Sequence, residues 1–325
     1  MSKALKILSR PQGNAEEYGR WAVNPYKGCS HGCLYCYLKK GVWANGLGGD
    51  TAQLKTDVVS DEHAYHLAMS EIIEHREEII RDGGLFMTFT SDPCVEETRE
   101  LFFHLTASAI EHGIPVTMLT KNASFFQYGT LQAMLDDAHN LAALTDEESK
   151  RIAHDGFMFT TWLGDLRVEL VKKRVAFGWT LTGHDELEPN ASPNMERIAT
   201  MKRMSDGGYY TWASIEPVID FPSSLDMIHQ ALEAGCEHFK IGLLTKNTKP
   251  CRDKYNVDEC VDFIIKVMIL TRNKATVYWK QSVRDFICTS RKPALTDEEV
   301  SKVFDSWPNS VGKDFSMFTS NGYGK

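Results

Sequence analysis

Along this chain, short apolar runs alternate with longer amphipathic stretches, the pattern of strand–helix units wound about a parallel sheet. Trp21–Tyr26 reads as the first strand, Leu85–Thr90 as the second and Ile114–Thr120, opened by Pro115, as the third. Val175–Thr182, Tyr209–Glu216 and His238–Leu244 read as the fourth to sixth, and Thr276–Lys280 as a further strand. Helical periodicity marks Asp61–Asp82, with Ala64, Leu67, Ala68, Ile72, Ile79 and Ile80 toward one side and Gly83-Gly84 as the stop. Glu96–Gly113, Ser124–Asp137, Pro193–Gly207, Ser223–Gly235 and Val257–Arg272 read as helices as well. Lys39–Thr56 carries Gly41, Gly46, Gly48 and Gly49 and reads as a mobile loop.

The alternation lapses once. Asp136–Asp155 is polar and alanine-rich, with a capping-box pattern at Thr145-Asp146-Glu147-Glu148, and reads as a helix inserted at about 136–156. Phe157–Leu163 is strand-like and competes with Val175–Thr182 for the fourth position. The expected fold is α/β: a partial (β/α)6 barrel of TIM type, with an inserted helix and a C-terminal extension. Residues 1–20 form a lead-in, 21–245 the barrel, and 246–325 a helix, a strand and an irregular tail packed on it.

Composition narrows the class. The chain has 325 residues, 42% hydrophobic and 25% charged, which suits a well-buried core. No run approaches the ~20 apolar residues of a membrane span, and Met1–Lys6 has no apolar signal core. Eight cysteines without such a signal point to a reducing, cytoplasmic setting. A net charge of −8 argues against a broad non-specific nucleic-acid surface and leaves a single-nucleotide pocket open.

The chemistry is concentrated in Gly28-Cys29-Ser30-His31-Gly32-Cys33-Leu34-Tyr35-Cys36-Tyr37-Leu38, a C-x3-C-x2-C loop after the first strand. Three thiolates on one loop can ligate three irons of a [4Fe–4S] cube and leave the fourth iron open. The alternative is zinc, but zinc sites are closed by a fourth ligand at short spacing; His31 is the conceivable one, and the next cysteine is Cys94. In a barrel, the chemistry sits where the C-terminal strand ends converge. Those ends carry Thr90-Ser91-Asp92, Thr120-Lys121, Thr180 with Thr182, Glu216 and Lys280.

The cysteine loop, with an aromatic before its third cysteine, resembles that of the radical S-adenosylmethionine (SAM) enzymes. Thr90-Ser91-Asp92, Thr120-Lys121, and Glu188-Pro189-Asn190-Ala191-Ser192 with Arg197 narrow the likeness to the spore photoproduct lyase group, over roughly Trp21 to Leu244. The resemblance implies Cys29, Cys33 and Cys36 as cluster ligands and Tyr35 against the adenine. It implies SAM contacts from Thr90, Ser91, Asp92, Lys121, Thr180 and Thr182, with Glu216 beside the cofactor. It implies reductive cleavage of SAM, with an electron donor such as flavodoxin or ferredoxin, and hydrogen abstraction from a nucleobase-type substrate in a nucleotide or DNA. Those lyases place a cysteine just before Thr-Ser-Asp; this chain has Phe89 there. Cys94 is a candidate replacement hydrogen donor and Lys280 a candidate substrate residue. Two other readings stay open: radical modification of a peptide or small metabolite, and a non-catalytic metal- or nucleic-acid-binding protein with a structural cysteine site.

Overall fold

The computed structural model describes residues 7–40, 44–124, 168–246, 249–290, 296–312, 315–319 and 322–323. The expected helix Ser124–Asp137, the inserted helix with its Thr145 box, and the strand-like Phe157–Leu163 lie outside the described residues, apart from Ser124.

One sheet organises the chain. Its strands are β1 (Leu8–Ser9), β2 (Ala22–Val23), β3 (Leu85–Met87), β4 (Val116–Thr120), β5 (Val175–Thr180), β6 (Tyr210–Val218), β7 (His238–Leu243) and β8 (Thr276–Trp279). They lie side by side in chain order, so each unit packs next to its predecessor. β2 to β8 are parallel throughout, and β1 pairs antiparallel to β2 at the edge. Seven strands therefore direct their C-terminal ends the same way. The fold is the expected α/β partial barrel, and Thr276–Trp279 joins its sheet as a seventh parallel strand.

The helices are α1 (Asp61–Glu74), α2 (Arg99–Glu111), α3 (Asn194–Asp206), α4 (Phe221–Glu233), α5 (Val257–Thr271), α6 (Gln281–Ser290) and α7 (Asp297–Asp305). Their starts are written locally. Ser60 accepts the His63 N–H at α1, Asp220 the Ser223 N–H at α4, and Asn256 the Asp258 and Glu259 N–H groups at α5. Thr296 and Glu299 close a capping box at α7. The periodicity expected over Asp61–Asp82 breaks at His75, and the chain resumes as a short helix over Arg76–Arg81.

Strand parity sorts the interior into two faces. Val116, Met118, Val175, Phe177, Trp179 and Ile215 face outward and join the main core beneath the helices. Each large apolar side chain buried there contributes about 1.5–3 kcal/mol. The inward face is different: Ala22, Phe86, Ala176, Tyr210 and Trp212 form a smaller cluster, topped by Tyr18 from the lead-in and Met317 from the tail. The aromatics Trp179, Trp212 and Trp279 are all core, at 0% exposure. Gly178 makes the inner packing possible, since a Cβ there would stand 2.2 Å from the Trp212 ring.

Two expected elements differ. The second strand stops at Met87, because Thr88 turns into the left-handed region (φ 61°). Asn24 Oδ1 holds that turn, accepting the Phe89 N–H at 2.7 Å and the Thr88 hydroxyl at 3.3 Å. The first strand likewise ends at Val23, and Tyr26–Lys27 turns aside to pair with Gln53–Leu54. That pairing engages part of the glycine-rich segment read as a mobile loop; backbone hydrogen bonds to the first strand's continuation anchor it.

Candidate active site

The cysteine loop leaves the sheet at the C-terminal end of β2 and is held from two sides. Gly28 N–H donates to Leu47 O and Cys29 N–H to Gly49 O, at 3.0 and 3.2 Å. Gly28 has φ 81°, and a Cβ there would lie 2.3 Å from Thr51 O, so only glycine lets the two segments approach this closely. From the other side, Leu34 N–H donates to Leu187 O at 2.9 Å and Asn190 N–H to His31 O at 3.1 Å. The 184–192 segment after β5 thus supports the loop that β2 delivers.

All three loop thiols are free of disulfides. Burial pushes Cys29 up to about 12, with the Asp92 carboxylate adding to it, and burial raises Cys33 too. Thiols held in this state bind metal with loss of protons. Among the described residues, no three His, Cys, Asp or Glu side chains converge as they would around one metal ion. His31, the candidate fourth zinc ligand, is buried with Nε2 2.9 Å from Asp92 Oδ2.

Asp92 ties three strand ends together. Its Oδ1 accepts the Cys94 N–H at 2.8 Å and the Thr120 hydroxyl at 2.7 Å. Its Oδ2 faces His31 Nε2 and accepts the Lys121 N–H at 3.0 Å. Burial alone would raise its pKa, but these partners hold the carboxyl below the usual range. Every acceptor position of this carboxylate is engaged by protein, so it orders the loops around the site.

A second network orders the other side. Arg197, fully buried, pairs with Glu188 at 2.6 Å and donates to Ser192 O at 2.7 Å and Thr180 O at 2.8 Å. Glu188 in turn accepts the Tyr35 hydroxyl, fixing that ring on the cysteine loop. The Lys121 ammonium lies 5.6 Å from the Tyr35 ring centroid. Burial works to lower the Lys121 pKa, but the nearby Cys33 and Glu188 raise it overall, so it stays cationic beside the thiols.

The other expected residues take varied places. The Thr90 hydroxyl donates to Tyr26 O at 2.5 Å. Ser91 Oγ is buried and has no hydrogen-bond partner among the described residues. Thr180 is on the inward face at the end of β5. Thr182 is fully buried in a turn, where its hydroxyl accepts the His184 N–H at 3.2 Å. Glu216 ends the inward row of β6, 2.5 Å from Lys280 Nζ. Cys94 is at 0% exposure and packs in the main core, its thiol raised by burial.

The residues that sequence reasoning missed are Glu17, Tyr18, Asn24, Lys240 and Gly242. Tyr18 donates to Glu216 Oε2 at 2.5 Å and lies 2.7 Å from Ser214 Oγ. Lys240 Nζ donates to Glu17 O at 2.7 Å, and Tyr278 donates to Glu17 Oε1 at 2.9 Å. The strand row His238-x-Lys240-x-Gly242 carried a usable signal: its polar and small residues share one parity. Nothing local marks Tyr18.

No helix among the described residues is long and apolar enough to cross a membrane. No protein-family model matches the chain, and no curated protein matches it. Among solved structures, it is similar to a cysteine-to-serine mutant of spore photoproduct lyase: 13% identity, 96% of this chain and 80% of that one, TM-score 0.44. It is also similar to Streptococcus suis SuiB, at 12% identity over 79% of this chain and 48% of that one, TM-score 0.46. SuiB bound to S-adenosylmethionine gives 11% identity, 90% of this chain, 57% of that one and a TM-score of 0.47, so the chain spans about half the length of SuiB.

Proposed function

We propose that this chain is a radical SAM enzyme whose substrate is a nucleobase, in a nucleotide or in DNA. One observation carries the proposal: three unpaired thiols in C-x3-C-x2-C spacing sit on a loop braced from both sides at the C-terminal end of a parallel barrel sheet. The donor set fits a three-cysteine [4Fe–4S] cluster with an open iron; Ser91 Oγ, without a hydrogen-bond partner among the described residues, and the cationic Lys121 beside the thiols fit a polar, carboxylate-bearing ligand. When bound, cluster and SAM together supply an organic radical able to take hydrogen from an unactivated carbon.

The chain's own residues prepare that chemistry. Cys29, Cys33 and Cys36 would hold the cluster, and Lys121 would offset negative charge on the thiolates or on a SAM carboxylate. Tyr35 is fixed by Glu188 and Arg197 where it can cover a flat base. Ser91 and Thr180 offer hydroxyls to the cofactor. An external one-electron donor protein completes the assembly.

The test is anaerobic reconstitution followed by analysis of metal and product. About four irons and four sulfides per chain, with release of 5′-deoxyadenosine on reduction, are expected. Stimulation by thymine-containing nucleotides or DNA is expected of the substrate class. One zinc and no sulfide would overturn the enzyme reading. Release indifferent to every nucleotide, from fully loaded protein, would overturn the nucleobase.

A further inference from the structure

The two oxygens of Glu216 have different surroundings. Oε2 receives both the Lys280 ammonium and the Tyr18 hydroxyl, each at 2.5 Å. Oε1 meets no donor among the described residues, and the side chain keeps 19% of its surface exposed. The carboxylate is therefore held through one oxygen and keeps acceptor capacity on the other.

The supports of this arrangement are themselves fixed. Lys280 is 2% exposed; it is 3.4 Å from Glu17 Oε2, donates to Asn14 O at 3.3 Å, and lies 4.2 Å from the Tyr18 ring centroid. Gly242, on the strand between them, leaves the room. A Cβ there would come within 2.8 Å of Glu216 Oε1 and 3.0 Å of Lys280 Cδ. The flank is aromatic: Tyr18 is 6.3 Å from Phe89, which stacks on Phe86 at 4.3 Å. Flat apolar surface beside a single acceptor suits a planar ring with an N–H edge.

Charge decides which donor. Lys280 already neutralises much of Glu216, and Lys240 lies close by, pushed down to about 7 by burial and by Lys280. A cationic ligand group would meet those lysines and gain little, whereas a neutral N–H meets only the acceptor. We infer that Glu216 Oε1 accepts a hydrogen bond from a neutral ring N–H of the substrate, the imide edge of a thymine-type base, with Lys280, Tyr18 and Gly242 as positioning residues. This rests on the nucleobase reading above and assigns Glu216 to the substrate where sequence likeness placed it beside SAM.

The experiment is equilibrium binding of thymidine 5′-monophosphate and its N3-methyl analogue to the reconstituted protein with SAM. Wild type is expected to bind the N–H form at least about tenfold more tightly than the methylated one. Glu216→Gln, whose amide can turn either group toward the ring, is expected to cut that ratio to about threefold or less. Gly242→Ala, which displaces the carboxylate without removing it, is expected to lower the ratio too, and keeps the test alive should Glu216→Gln not fold. Equal wild-type affinities, or a ratio unmoved by both variants, would overturn the assignment. So would a tenfold loss of SAM affinity in Glu216→Gln, which would return the residue to the cofactor. Failure of wild type to bind either nucleotide would overturn it as well, while the cluster reading would still stand or fall on iron, sulfide and 5′-deoxyadenosine.

Discussion

Asp92 and Glu216 are both carboxylates at the strand ends of one sheet, each beside a basic side chain, yet the protein treats them oppositely. Asp92 has partners on both oxygens: His31, Thr120 and two backbone N–H groups. Glu216 has two donors on one oxygen and, among the described residues, none on the other. A carboxylate accepts about four hydrogen bonds, so the first has no capacity left and the second has half. The difference separates a carboxylate that builds the site from one able to receive a ligand. It also separates the β2–β5 side, where loops are locked around the thiols, from the β6–β8 side, where a Glu216–Lys280 ion pair leaves one carboxylate oxygen without a donor among the described residues.

The comparison can be broken at several levels. The largest effect is expected from Cys33→Ala, which removes one of the proposed ligands: 5′-deoxyadenosine release should fall by at least about a hundredfold, with loss of cluster iron, in a fold otherwise intact by circular dichroism. Retained cleavage would remove the thiols from the locked side altogether. Next comes Arg197→Met. It leaves Glu188 buried and uncompensated, so unfolding in denaturant should show a loss of about 3–5 kcal/mol. Restoration of part of that loss by adding Glu188→Gln would confirm that the pair acts as a unit.

Asp92→Asn should cost about 1–3 kcal/mol, because an amide must turn its NH2 toward groups that are already donors. A neutral outcome would mean that the locked carboxylate is not locked. The two inner glycines sharpen the contrast in packing. Gly178→Ala drives a methyl against a fully buried indole and should destabilise by about 1–3 kcal/mol. Gly242→Ala meets the ends of two flexible side chains and should cost less; equal losses would show the Glu216–Lys280 pair to be as rigid as the core.

The smallest effect concerns His184, whose Nδ1 is 2.7 Å from Glu186 and whose Nε2 is 2.5 Å from Asp220. Burial works to lower its pKa, but the two carboxylates raise it overall. A raised folded value means that the stabilisation is fully present below about pH 6.5 and is lost as pH rises through the folded pKa. The melting temperature of wild type relative to His184→Asn should therefore converge over that rise. A constant difference would show the contact to be independent of charge.

Much of the frame was legible in the chain. Parity in Val175–Thr180 and His238–Leu243, the Gly83-Gly84 stop and the cysteine spacing are local patterns, and local patterns follow from backbone geometry. The stops of the first two strands were not legible, because Asn24 and Thr88 make that turn together from 64 residues apart. The strand at Gln53–Leu54, inside the glycine-rich segment, was not legible for the same kind of reason: its partner strand, Tyr26–Lys27, lies upstream of the whole cysteine loop.

By itself, the sequence determined the order of strands and helices and the delivery of three thiols to the C-terminal end of the parallel sheet. Only the tertiary structure decided which polar side chains are engaged and which are open. Asp92, Glu188 and Glu216 look alike in a sequence; partners such as Thr120, Arg197, Tyr18 and Lys280 reach them across strands, and hydrogen-bond capacity is a property of the assembled neighbourhood.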